Sequence, residues 1–391
     1  MIAITNGKII TAQGVLENWI LLIHEDRIEG ITDTLPDFAI EQVIDARNLY
    51  IAPGFIDVHN DKIEQFICPR PTSVMSFDLG INECEKELLL HGITTIYHSL
   101  ALFKDNFFGA SPLRSKENVL KLADIIQELS EKSTLIRHRF HLRIEIDNLE
   151  AYDIAKKMIQ SQKVHEISFM DHTPGQGQYK NLEIYEKTIS SYKGKEIETL
   201  GFHGVLNYHE SKKTLTFAQL QELTALAHQN HITVASHDDD TTDKLELNKK
   251  INVDISEFPI TLETARQAKK MGFYTVAGAP NILLGGSHSG NMNASDAILE
   301  NCIDILCSDY YPAAMLHSVF IMHQKKNIPL HEMINKVTLN PASAMHTSKD
   351  YGSIETGKKA DLLFIEFQNN FPVITQIIID GKIISTLQYR H

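Results

Sequence analysis

Cysteine is scarce in this 391-residue chain, and Cys68, Cys84, Cys302 and Cys307 fall in none of the paired spacings that make zinc knuckles or dithiol redox sites. Even Cys302 and Cys307 have four residues between them. Such usage fits a reducing compartment. Positive charge is also short: 37 Lys and Arg face 50 Asp and Glu, a formal net charge of −13, with no long Lys/Arg block. That balance argues against broad nucleic-acid binding. No uninterrupted apolar run reaches membrane length, and the opening MIAITNGKIITAQG lacks a basic leader followed by a long apolar stretch. The expectation is a soluble, cytoplasmic protein whose partners are small molecules, not nucleic acid or membrane. A homo-oligomer is left open. Solenoid repeats and low-complexity tracts are absent too.

What the chain does contain is alternation. From Ile51 to Thr347, β-like and helix-like segments follow one another, which favours parallel strands joined by helical crossovers. Eight strand candidates can be read: YIAPGFIDVH, ITTIYHSL, RFHLRIEI, VHEISFMDH, ITVASH, VDISEFP, FYTVAGAP and IDILCSD. Eight is the number a closed (β/α)8 TIM-type barrel requires. Helices are expected over 115–132, 148–162, 217–230, 261–271 and 330–337, and the stretch 179–216 is the hardest to assign. Near the two ends, ITNGKII and IIDGKII share an Asn/Asp-Gly-Lys-Ile-Ile pattern typical of tight hairpins. The reading is therefore an α/β chain with a hydrolase-type barrel over 51–347 and a small β-domain built from 1–50 and 348–391.

In a barrel, chemistry gathers at the C-terminal ends of the strands. The first candidate runs straight into His59-Asn60-Asp61-Lys62, and side chains two apart on a strand converge on one side, so His59 and Asp61 can share a divalent ion. Glu145 ends the third candidate, Asp171 and His172 the fourth, His237 the fifth, Glu257 the sixth and Asp309 the eighth. Any one of these is more often a cap, a turn former or a satisfied polar group. Their placement at successive strand ends is what points to a site. In RHRFHLRIEI, alternation sets Arg137, Arg139, His141, Arg143 and Glu145 toward the barrel interior, with Arg143 and Glu145 nearest the mouth. The three deeper residues read as structural ion-pair partners. Two loops add anion-binding chemistry. Gly-Gly-Ser287-His288-Ser289-Gly offers backbone N–H groups and short side chains to a phosphate, and Pro-Arg70-Pro presents a guanidinium stiffly. Taken alone, a Gly-Gly-Ser loop is usually just a turn, and the Arg70 segment reads about as readily as a surface turn.

Read together, GFIDVHND, ASHDD and CSDY resemble the amidohydrolase superfamily, a metal-dependent barrel flanked by a β-domain from both termini. The additional segments PRP, FMDHTPGQGQY, SEFP, GAPNILLGGSHSGN and SDYYP are similar to its phosphonate-degrading triphosphate diphosphatases of the carbon-phosphorus lyase pathway. The resemblance spans nearly the whole chain. It implies hydrolysis of alpha-D-ribose 1-methylphosphonate 5-triphosphate to the 5-phosphate and pyrophosphate, with one or two divalent ions, zinc first and manganese or iron as alternatives. His59, Asp61, Glu145, His172, His237 and Asp309 would form or adjoin the metal centre, with Asp309 as proton acceptor. Arg70, Arg143, Lys62 and the Ser287–Ser289 loop would offset the charge of the phosphorylated small-molecule substrate. Many superfamily members carry His-x-His on the first strand and His on the sixth, where this chain has Asp61 and Glu257. A deacetylase or deaminase of the same superfamily and a non-catalytic binding subunit of a phosphonate-processing assembly are the rival readings.

Overall fold

The structure, a computed structural model, describes residues 1–37, 39–70, 72–102, 111–130, 132, 134–171, 213–287 and 291–390. Both chain ends build one sheet, from β1 (Ile2–Ile10), β2 (Val15–His24), β3 (Arg27–Thr32), β4 (Gln42–Asp45) and β5 (Tyr50–Pro53) together with β14 (Leu362–Gln368), β15 (Phe371–Ile379) and β16 (Lys382–Thr386). Its order is β16-β15-β14-β5-β1-β2-β3, with β4 paired to β1. The two Gly-Lys-Ile-Ile segments behave differently. Asp380 and Gly381, at φ 47° and 72°, make a true two-residue turn between β15 and β16. Asn6 and Gly7, in contrast, sit inside a continuous β1 as a bulge with shifted register. A Cβ on Gly7 would lie 2.3 Å from Ile51 Cδ1, so glycine there serves close strand approach, not a turn.

Eight parallel strands form the barrel: β6 (Phe55–Asn60), β7 (Ile93–Leu102), β8 (Arg137–Glu145), β9 (Glu166–Met170), β10 (Thr233–His237), β11 (Ile255–Glu257), β12 (Tyr274–Gly278) and β13 (Ile305–Cys307). The expected single strand YIAPGFIDVH is two strands, because Tyr50–Pro53 pairs with β1 and β14 while Phe55–Asn60 pairs with β7. The chain crosses between sheets at Gly54, where a Cβ would meet the Thr94 side chain at 2.3–2.9 Å. Helices follow the strands, among them Lys116–Leu129, Leu149–Gln160, Phe217–Gln229, Leu262–Lys270 and Leu330–Asn335. Thr216 and Gln219 start the third of these with a reciprocal capping box. Among the described residues, no helix is long and apolar enough to cross a membrane.

Barrel closure rests on the seam between first and last strands. Asp309 N–H donates to His59 O at 3.0 Å and Asp61 N–H donates to Asp309 O at 3.0 Å. Behind them the Ser308 N–H and hydroxyl donate to Asp57 at 3.0 and 2.5 Å, and Asn60 Nδ2 donates to the same carboxylate at 3.0 Å. Burial pushes the Asp57 carboxyl up to about 6, and the Ser308 and Asn60 hydrogen bonds hold it from rising further. The sheet is clamped to the barrel by Arg137 at the start of β8, whose guanidinium donates to Asp361 at 2.5 and 3.2 Å and to Asp380 at 2.7 Å.

Buried neutral histidines give the fold an acid limit. His165 accepts the Phe140 N–H through Nδ1 at 3.1 Å, and burial, with repulsion from Arg139, pushes its pKa from 6.5 down to about 3. His98, stacked on His138 at 5.2 Å, is likewise held well below its ordinary value by burial. The unfolded chain takes up these protons near pH 6.5 and the folded chain does not, so stability falls as pH drops below about 6.5. Each such group contributes a slope of up to about 1.4 kcal/mol per pH unit. His165→Asn retains an acceptor for Phe140 N–H without a titrating ring. Urea midpoints measured at several pH values should therefore decline less steeply in that variant; equal declines would remove His165 from the effect.

Candidate metal centre

Strand alternation alone would turn His59 away from the barrel interior, because Ile56 and Val58 already pack inside with Tyr97, Ala235, Ile255 and Val276. A register shift between Asp57 and Asn60 changes this. The bulge turns His59 inward, with its ring centroid 5.2 Å from His141, 5.4 Å from His237 and 5.0 Å from Phe258. His59 Nδ1 lies 3.1 Å from Glu257 Oε1 and its Nε2 3.4 Å from Ser99 Oγ. His237 ends β10 and sets Nδ1 2.8 Å from Asp238 Oδ2. Ligand atoms of His59, His237 and Glu257 all lie within 4.8 Å of one another, and all three residues are buried. Three non-glycine residues just past strand ends, Asp238, Phe258 and Asp309, adopt left-handed φ values of 54°, 51° and 57°. Backbone of this kind carries strain and recurs where side chains must be aimed at a site.

The electrostatics suit cation binding. Burial, followed by repulsion from Arg143 and His237, holds His59 well below its ordinary pKa, so the imidazole is a neutral donor. Burial and then the charge of Asp61 push the Asp309 carboxyl up to about 8, against the pull of Arg143. Asp61 is raised by burial in turn, with Arg143 and Arg114 opposing. Two raised carboxylates side by side mark a place short of positive charge. The Glu257 Oε2 atom is fully buried and has no hydrogen-bond partner, which a bound divalent ion would supply. The donor set therefore fits a divalent metal.

Expected site residues fall into three groups. His59, His237 and Glu257 converge, while Asp61 and Asp309 join them at the seam through paired backbone. Glu145 and Arg143 are buried at the mouth end of β8, where Arg143 Nε donates to Met170 Sδ at 2.9 Å. Asp171 follows β9 directly. Two residues stand apart: Lys62 Nζ pairs with Glu87 Oε1 at 3.0 Å, and Arg70 is exposed on a turn closed by Ser73 N–H. The segment expected as one glycine-rich loop opens instead with a helix, Ala279–Leu284, ended by Gly285 at φ 75°. Pro280 at its start explains this, since proline suits a first helical turn. Ser287 follows that helix; His172, His288 and Ser289 lie outside the described residues.

Sequence reasoning missed Arg114, which grips Glu64 with three hydrogen bonds of 2.8–3.0 Å. Burial pushes the Glu64 carboxyl up, but the Arg114 hydrogen bonds and charge outweigh that and leave it below its ordinary value. Arg114 also acts on Asp61 and Glu145, so a second guanidinium serves this mouth. No strand-end pattern marks it, because it lies in a short 3-10 turn, Pro112–Arg114. Glu166 was missed although its alternation with Ser168 and Met170 placed it on the inner face.

A model of the amidohydrolase family matches residues 50–384. The chain is 33% identical over 350 residues to the alpha-D-ribose 1-methylphosphonate 5-triphosphate diphosphatase of Escherichia coli (strain K12), covering 88% of this chain and 90% of that protein. It is 24% identical over 400 residues to an adenine deaminase of Clostridium botulinum (strain ATCC 19397 / Type A), covering 98% of this chain and 57% of that protein. Among solved structures, N-acetylglucosamine-6-phosphate deacetylase from Pasteurella multocida superposes with a TM-score of 0.65 at 14% identity, covering 98% of this chain and 99% of the other. Molinate hydrolase superposes with a TM-score of 0.67 at 15% identity, covering 98% and 94%. These two likenesses speak for the fold. With the barrel, the imidazoles and carboxylates at its strand ends and a family match over most of its length, the chain belongs to the amidohydrolase family.

Proposed function

We propose that this hydrolase cleaves the phosphoric anhydride of alpha-D-ribose 1-methylphosphonate 5-triphosphate, releasing pyrophosphate and the 5-phosphate. The observation that carries the reading is the Escherichia coli relative, matched along nearly the whole of both chains. Two guanidiniums beside the donor cluster, Arg143 and Arg114, support a polyanionic small molecule as substrate. They matter because a chain of net charge −13 otherwise repels such a substrate. Its four cysteines are unpaired, in keeping with a cytoplasmic place of work.

His59, His237 and Glu257 would hold the divalent ion, with Asp61, Asp309, Glu145 and His172 forming or adjoining the centre. Zinc suits the mixed nitrogen and oxygen donors, as do manganese and iron. When bound, such an ion lowers the pKa of water and neutralises charge on phosphoryl oxygens. Asp309, beside the seam, would receive the proton of the attacking water, its carboxyl ionised once a cation offsets the burial and the Asp61 charge that raise it to about 8. Arg143 and Arg114 orient the triphosphate for attack at the α-phosphorus. The second reading, deamination of an aminopurine, is favoured by the adenine deaminase likeness across 98% of this chain.

His59→Ala and His237→Ala should each lower bound metal and activity together while circular dichroism stays native. Elemental analysis showing full occupancy in both variants would take these residues out of the centre. Asp309→Asn keeps the size of the side chain but removes the proton acceptor, and kcat should fall roughly 10²- to 10⁴-fold. A near-native kcat with metal retained would send the proton elsewhere. In water enriched in oxygen-18, label should enter the sugar phosphate and leave pyrophosphate unlabelled. Label confined to pyrophosphate would overturn attack at the α-phosphorus, and aminopurine turnover without triphosphate cleavage would favour the deaminase reading.

A further inference from the structure

Not every carboxylate at the strand ends faces the mouth. Ala235 on β10 and Ile255 on β11 pack inside the barrel. One position further on, Ser236 and Ser256 therefore face the helix layer, and His237 and Glu257, next again, turn back inward. The two strands are in register here, with Ser236 opposite Ser256 and His237 opposite Glu257. Behind the ligand pair, Asp239 joins the serine pair, because its Oδ2 accepts both the Ser236 and the Ser256 hydroxyl at 2.6 Å. Asn248 Nδ2 donates to Oδ1 at 2.9 Å, and Lys244 Nζ lies 3.5 Å from the same oxygen. Ile260 N–H donates to Asp239 O at 2.9 Å. Asp239, Ser236 and Ser256 are all buried.

Lys244 and Asn248, one turn apart on the helix Thr242–Lys250, reach the same point. The Lys244 ammonium also donates to His237 O at 2.9 Å and to Asp238 O at 3.2 Å, spanning the residue whose φ of 54° turns the chain out of β10. A carboxylate only accepts, so it can take two hydroxyls on one oxygen and nitrogen donors on the other, which an amide in its place cannot. With both oxygens engaged in the helix layer, Asp239 is not a ligand. What it fixes is spacing. Its bonds to Ser236 and Ser256 tie β10 to β11 one residue before His237 and Glu257, and any drift between these strand ends carries the imidazole away from the carboxylate. We propose that Asp239, held by Lys244 and Asn248, is a positioning residue that sets the separation of His237 and Glu257 and thereby the affinity of the mouth for a divalent ion. The inference deepens the metal-centre reading and rests on it.

The affinity of the full-length protein for zinc and for manganese tests this, measured by chelator competition at a temperature where circular dichroism shows each variant folded. Asp239→Asn keeps the side-chain size but sets an amide donor against donors, and both metals should bind about 10- to 100-fold more weakly, the scale on which partners behind metal ligands act. Ser236→Ala and Ser256→Ala should each weaken binding as well. Combined with Asp239→Asn they should add less than their separate effects, because all three remove the same tie. Thr233→Val removes a hydroxyl that donates to Ala344 O at the opposite end of β10, and should lower Tm with metal affinity unchanged. A purely structural role for Asp239 gives that same pattern, a lower Tm with native affinity. Such a result in Asp239→Asn, or in both serine variants where Asp239→Asn does not fold, would overturn the inference while the metal centre stands. A wild type that takes up neither metal would bring down the metal-centre reading and the inference with it.

Discussion

Closure of the barrel between β6 and β13 is the interaction on which the rest depends. Asp57 and Ser308, 251 positions apart in sequence, meet through two hydrogen bonds, and His59, Asp61 and Asp309 are tied by backbone just above them. Without that seam the parallel sheet would be open, and the strand ends would fan apart. With it, imidazoles from β6 and β10 and the carboxylate from β11 face one another across a small mouth. The seam is polar because its strands must also end there. Its donors and acceptors are paired locally, and the metal-type side chains turn toward the centre of the mouth.

Gathering those side chains has an electrostatic consequence. Asp61, Asp238, Glu257 and Asp309 bring more negative charge than Arg143 and Arg114 offset, and the shared rise of Asp61 and Asp309 expresses it. Burial magnifies the effect because water cannot screen charges inside the barrel. The same deficit that makes the mouth a place for cations makes it, once filled, a place for an anion. An acidic surface and a mouth suited to cations are thus compatible, since the field near the strand ends would be set at short range by a bound cation and by the guanidiniums of Arg143 and Arg114.

Much of this was legible because period-two alternation and strand counting act over short stretches. RHRFHLRIEI gave the inward face of β8 correctly, with Phe140, Leu142 and Ile144 in the outer apolar layer. What escaped depended on backbone irregularity or distant partners. Asn6-Gly7 and Asp380-Gly381 carry nearly the same local sequence, yet Ile51 packed on Gly7 makes the first a bulge inside a long strand. His59 was found by residue type and position, while the bulge that turns it inward has no local signature. Arg114 reaches the mouth from a turn whose sequence resembles any surface loop, and only the placement of Glu64 and Asp61 brings out its role.

Glu257 is where sequence and geometry carry the argument furthest. A neutral imidazole at the end of β11 would add a donor without charge; glutamate adds a charge and a second oxygen. One oxygen lies against His59 Nδ1 and the other is dry and unsatisfied. A carboxylate so placed can face two neighbours at once, which a histidine with one lone pair cannot. The residue also sits in a three-residue strand followed by Phe258 in a left-handed conformation, so its side chain is held by backbone on both sides. Buried at 0% exposure, it gains nothing from water. A buried carboxylate with one unsatisfied oxygen at this point is suited to a cation at the mouth.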